Sequence, residues 1–101
     1  MNENREYCKR IADELEAIYN GETEADFFDY IADALDIEYR VGSEKEYRSA
    51  RIMVAYGGPN VFIDTKNQLV QLYWWTEYAE YPLAYGVASW IDEYMEELYN
   101  C

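Results

Sequence analysis

The chain contains no histidine, and its eight Lys and Arg residues face 21 Asp and Glu, for a formal net charge of −13. Without imidazole, the side chain best suited to acid–base work, metal ligation and pH switching near neutrality is missing. A Ser–His or Cys–His nucleophile pair cannot be built. The scarcity of bases removes the electropositive footprint of direct nucleic-acid binding and the polybasic patch that anionic lipid attracts. Neither DNA, RNA nor a membrane is therefore an expected partner. Cysteine occurs twice, with no CxxC spacing for structural zinc, and no DxDxDG loop marks calcium. We expect no metal and no cofactor. The one glycine cluster, Gly57-Gly58-Pro59-Asn60, lacks the Gly-Lys-Ser/Thr ending of a phosphate loop and reads as a turn. No apolar run approaches the ~18 residues of a membrane span, and residues 1–10 have no secretory apolar stretch. The expectation is a cytoplasmic chain with reduced thiols, Cys8 on an apolar helical stripe and Cys101 exposed.

What is present suffices for one domain, residues 1–101, because half of the composition is hydrophobic and the chain is too short for two cores. Cys8, Ile11, Leu15 and Ile18 recur at helical spacing over residues 4–20, with Tyr19 beside them and Gly21 as the stop. Thr23 offers an N-cap with Asp26 at capping-box distance. The second helix would carry Phe27, Phe28, Ile31, Ala34 and Leu35 inward and end near Ile37. Period two then takes over: strands are expected over 51–56, 61–64 and 69–75, with an earlier one near 38–41. Pro82 suits the first turn of a final helix that buries Val87, Ile91, Tyr94, Met95 and Leu98. The order α-α-β-β-β-β-α implies an α+β fold: an antiparallel three- to four-stranded sheet with two N-terminal helices and one C-terminal helix.

Charge is distributed unevenly. Residues 1–40 are net −8, residues 41–68 net +1, and residues 69–101 net −6 with no base at all. On the second predicted helix, Asp26, Asp29, Asp33 and Asp36 would share one stripe, and no Lys or Arg occurs between Arg10 and Arg40. Like charges at i,i+3 and i,i+4 destabilise a helix by roughly 0.2–0.5 kcal/mol per pair, and Asp is a mediocre helix former. The first helix differs, because Glu6 with Arg10 and Lys9 with Asp13 stand at pairing distance in sequence. The last helix repeats the acidic theme with Asp92, Glu93, Glu96 and Glu97. Carboxylates at helical spacing approximate the phosphate spacing of a nucleic-acid strand, which a basic groove would accept with counterion release. Acidic helix faces also serve plain solubility.

Aromatic residues are the second excess, with twelve Tyr and three Trp. Such side chains concentrate at interfaces because they bury much area at low rotamer entropy. The outer sheet face around Tyr73 and Trp75 is the expected contact surface, for a partner or for a second copy in a homodimer.

In size, acidity and α+β pattern the whole chain resembles the small inhibitors of phages and mobile elements, including antirestriction and anti-CRISPR proteins that mimic DNA. Residues 57–64 are also similar to a stretch of bacterial mobile-element proteins. The class resemblance implies no enzymatic activity and, as partner, a nucleic-acid-processing protein such as a CRISPR effector nuclease or restriction complex, bound through its basic groove. A second reading is a non-enzymatic module that binds any basic protein through acidic helix faces and exposed aromatics. A third, a hydrolase with paired carboxylates, is weak, because 21 acids place some pair at a suitable distance by chance.

Overall fold

The structure, a computed structural model, describes residues 2–101. Helix α1 (Glu3–Tyr19) begins where the Asn2 side chain accepts a hydrogen bond from the Arg5 amide. It ends just before Gly21, whose φ of +72° is the left-handed conformation expected of a helix stop. Its apolar stripe is buried as the spacing predicts, with Cys8, Ile11 and Leu15 in the core.

Five strands follow: β1 (Asp36–Val41), β2 (Tyr47–Ala55), β3 (Asn60–Asp64), β4 (Leu69–Trp74) and β5 (Glu77–Pro82). They form one antiparallel meander in chain order. Side chains alternate between faces along each strand, so the register builds continuous rows. Ile37, Ile52, Ile63, Val70 and Tyr81 lie side by side across all five strands, and Val61, Leu72 and Ala79 form the next row. Onto this face α1 packs over β4 and β5, while α3 (Val87–Tyr99) packs over β2 and buries Val87, Ile91 and Met95. Each fully buried aliphatic chain contributes ~1.5–3 kcal/mol. The opposite face of the sheet carries no helix.

The α+β class holds, but the sheet has five strands where the sequence suggested three or four. The added strand is β5. Pro82, expected to open the last helix, instead ends this edge strand opposite Leu69, where a residue without an N–H is tolerated. Helix α3 starts five residues later, from Gly86 at φ +86° with no side-chain cap.

The second predicted helix is also revised. Only one turn forms, α2 (Phe27–Tyr30), and its cap is Asp26, which accepts from the Asp29 amide at 2.8 Å. Thr23 only accepts a 3.4 Å bond from Ala25 N–H. Asp33 lies in the turn that follows, and Asp36 is the first residue of β1. Two effects shorten the helix. The like-charged aspartates weaken it, while Ile37, Tyr39 and Val41 favour a strand and pair with β2, the contact beginning at the Leu35 amide bonded to Met53 O. Leu35, expected inside, is 59% exposed, and Phe28 and Leu98, expected inside as well, are also exposed. The turn is held by Phe27, fully buried, whose ring meets Trp90 and Tyr94 at 5.4 Å each.

In urea denaturation, Phe27→Ala should lower stability by about 3–5 kcal/mol and Asp26→Ala by about 1 kcal/mol. Thr23→Ala should change it little; equal losses at positions 23 and 26 would mean that the longer helix forms.

Candidate interaction surface

Six of the eight bases are occupied within the molecule. Arg5 and Lys9 lie over the Tyr81 ring at 4.9 and 5.9 Å, and Arg10 lies over Tyr7 at 4.9 Å. The expected Lys9–Asp13 pair forms at 2.7 Å. The expected Glu6–Arg10 pair does not, because the Arg10 guanidinium takes the ring instead. Arg48 meets Glu46 at 3.4 Å, and Arg51 lies 3.6 Å from the Phe62 centroid. Among the described residues only Asp13, Glu46 and Asp64 form ion pairs. The other carboxylates are left to solvent or to internal hydrogen bonds.

Arg40 is spent on Asp64, the one buried carboxylate. Its Nη1 and Nη2 donate to the two Asp64 oxygens at 3.1 and 3.4 Å, and Nη1 also donates to Ser49 Oγ at 3.2 Å. Asp64 further accepts from the Lys66 and Asn67 amides and from Asn67 Nδ2. Burial pushes the Asp64 pKa up, but these donors outweigh it and hold the carboxyl below its ordinary value. The network clamps the β3–β4 turn to β1. The sequence signal, an Asp opening a Thr-Lys-Asn turn, marks the turn but not its partner 24 residues away.

The predicted acidic residues do not form one surface in the way the spacing suggested. The stripe of Asp26, Asp29, Asp33 and Asp36 is broken by the short α2: Asp26 caps it, Asp29 is on it, Asp33 follows it, and Asp36 emerges on the helix-free sheet face opposite Met53. All four are exposed. On α3, Asp92 is half-buried and accepts the Tyr47 hydroxyl at 2.6 Å. It is structural. Glu93, Glu96 and Glu97 are exposed, with no ion pair. Helix α3 meets α2 through Phe27, Phe28, Trp90 and Tyr94, so helical spacing brings Glu93 and Glu97 to the side of α3 beside that seam.

The exposed aromatics of the sheet divide between two places, while Tyr19, Phe28 and Tyr85 are exposed on or beside the helices. Tyr73 is on the helix-free face in a ladder with Phe62 at 5.9 Å and Tyr78 at 5.0 Å. Gln71 Oε1, buried on the same face, has no hydrogen-bond partner within the chain. Trp75, expected beside Tyr73, instead occupies the tip of the β4–β5 hairpin at φ +57° and is 86% exposed. The two-residue loop Trp75-Thr76 imposes that conformation, since a positive φ there matches the twist of the strands. Tyr56, 73% exposed, belongs to the same end; its place in a strand pattern ending at a Gly-Gly turn hid it from sequence reasoning. The cysteines are as expected: Cys101 is exposed, while burial lifts the Cys8 thiol to about 11. Among the described residues no three His, Cys, Asp or Glu converge as a metal site, and no helix is long and apolar enough to cross a membrane.

Because the folded pKa of Asp64 is depressed, its contribution is complete above the unfolded value of about 3.9 and is lost as pH falls through the lower folded value. Asp64→Asn should therefore cost about 1–3 kcal/mol at neutral pH, with the difference shrinking in acid. Urea titrations of both proteins at neutral pH and at roughly pH 2 check this, and a constant difference would contradict it.

Comparison of the chain with protein-family models, with curated proteins and with solved structures finds no match.

Proposed function

We propose that the protein is a non-catalytic inhibitor that occupies the basic nucleic-acid groove of a nucleic-acid-processing enzyme, with the acidic helical layer standing in for phosphates. The observation that carries this reading is the unanswered charge of α3 and its neighbour. Glu93, Glu96 and Glu97 are exposed and unpaired, Asp29 is exposed on the neighbouring α2, and no base occurs after Lys66. Plain solubility is met at lower electrostatic cost by a face that intersperses both signs. Six of the eight bases are held on α1 and on the sheet, and of the other two only Lys45 adjoins α3, at its C-terminal Tyr99, so the field over the carboxylates of α3 stays negative and attracts a positive groove over distances near the Debye length. Asp92 leaves the contact set because Tyr47 holds it, and Asp26 contributes charge but is fixed as a cap. Asp33 and Asp36 add to the field from the α2–β1 segment.

A second reading, an interaction module for a basic protein that handles no nucleic acid, is favoured by the exposed aromatics Tyr56, Tyr73 and Trp75. The two readings differ in competition. An enzyme captured by the immobilised protein from a nuclease-treated bacterial lysate should be released by excess duplex or single-stranded nucleic acid under the first reading. A partner indifferent to nucleic acid would transfer the proposal to the second.

The combined substitution Glu93→Gln, Glu96→Gln and Glu97→Gln keeps side-chain size and removes charge. Association with the captured enzyme should slow about tenfold at low salt, with the difference shrinking as salt is raised, while circular dichroism stays unchanged. Equal association rates for parent and variant would show that α3 is not the docking face.

A further inference from the structure

Tyr56, Tyr73, Trp74 and Trp75, with Gly57 and Asn60, line a cavity of about 280 Å³ at the end of the sheet where the β2–β3 and β4–β5 connections meet. Three features set it apart from the rest of the surface. Four of its six lining residues are aromatic and none is charged. Two of those residues, Tyr56 and Trp75, are among the most exposed large side chains of the molecule, at 73% and 86%. The Trp74 and Trp75 indoles stand 5.7 Å apart at 75°, nearly at a right angle, and a Cβ at Gly58 would come within 3.3 Å of the Trp74 ring.

Elsewhere this chain places cations on its rings. Tyr7, Tyr81 and Phe62 each carry a guanidinium within 5 Å of the ring centroid, and Arg51 reaches within 5.8 Å of Tyr73 as well. Of the notch rings only Tyr73 has one, at that longer distance; among the described residues no cation lies over Tyr56, Trp74 or Trp75. An aromatic face is the negative pole of the ring quadrupole, strongest in Trp, and a molecule of net charge −13 adds a field of the same sign. Both favour a cationic occupant over a neutral one. A planar guanidinium stacks on such walls better than a compact, strongly hydrated ammonium.

We propose that this notch is a receptor for an arginine side chain of a protein partner, its guanidinium stacked against Trp75 and Tyr56. The inference deepens the reading of a basic partner, because it adds a short-range anchor to the long-range attraction of the acidic helices. Trp75 would supply the contact that slows dissociation, where the carboxylates of α3 speed the encounter.

Small probes test the notch without the partner. The parent protein is titrated with N-acetyl-arginine amide and with N-acetyl-citrulline amide, its neutral isostere, while the three indole N–H resonances are followed by NMR. The arginine probe should shift the Trp74 and Trp75 signals saturably, and the citrulline probe should need roughly tenfold higher concentration. N-acetyl-lysine amide should fall between them. Trp75→Ala and, separately, Tyr56→Ala should remove the response without loss of the folded spectrum; using both guards against an effect of the positive φ at position 75. Equal responses to arginine and citrulline probes, or a response that survives both substitutions, would overturn the proposal. The Glu93, Glu96 and Glu97 triple variant should titrate like the parent, and a loss of response there would mean diffuse charge attraction and would also overturn it. A working notch with no nucleic-acid enzyme captured defeats the proposed function alone; capture that Trp75→Ala leaves unchanged, with no probe response, defeats the notch alone.

Discussion

One-sided burial governs this molecule. Two long helices are enough to cover one face of a five-stranded sheet, and the chain has nothing left for the other. The inner row of Ile37, Ile52, Ile63, Val70 and Tyr81 ties all five strands to a single hydrophobic layer. Every residue of opposite parity is committed to the helix-free face, whatever its chemistry. That is why Arg51, Phe62, Tyr73 and Tyr78 form a stacked outer layer, and why Asp64 needs a dense set of donors to remain charged there.

The same constraint sorts the charges. Rings on the outer face and on β5 take guanidinium groups from β2 and α1, and Asp64 takes Arg40. Bases used in this way cannot screen α3 or the α2 segment. Exposed ion pairs are worth ~0–1 kcal/mol, so leaving these acids unpaired sacrifices little stability and preserves the negative field. One sheet edge is also covered from within. Arg5 Nε donates to Glu80 O on β5, an internal cap that discourages pairing of that edge with another chain.

Much of the candidate surface could be read from residue order, and the failures are instructive. Glu93, Glu96 and Glu97 were legible because α3 is long, periodic and free of bases. Asp92, one residue away, looked the same in sequence; only the arrival of the Tyr47 hydroxyl from β2 separates it from them. Tyr73 was legible from strand alternation. Alternation fails at Trp75 because β4 ends at Trp74 and the next residue enters a loop with a positive φ. The grouping of Tyr56 with Trp75 depends on which strand ends are neighbours, and no local pattern records that.

Residue order by itself determined the acidity, the existence of α1 and α3, the strand cores of β2, β3 and β4, and the buried stripes Cys8-Ile11-Leu15 and Val87-Ile91-Met95, because each is written in a period of 3.6 or 2 that one segment carries alone. Tertiary structure decided the length of α2, the existence of β5 and the fate of each carboxylate. Residues 31–37 have a helical spacing of apolar groups, yet pairing with β2 offers Ile37 and Tyr39 a place in the sheet and leaves one capped turn behind. Likewise Pro82 is compatible with a helix start and with an edge strand, and the free flank of β4 selects the second. Where two local conformations are nearly equal in free energy, the hydrogen bonds and burial supplied by a distant segment make the choice.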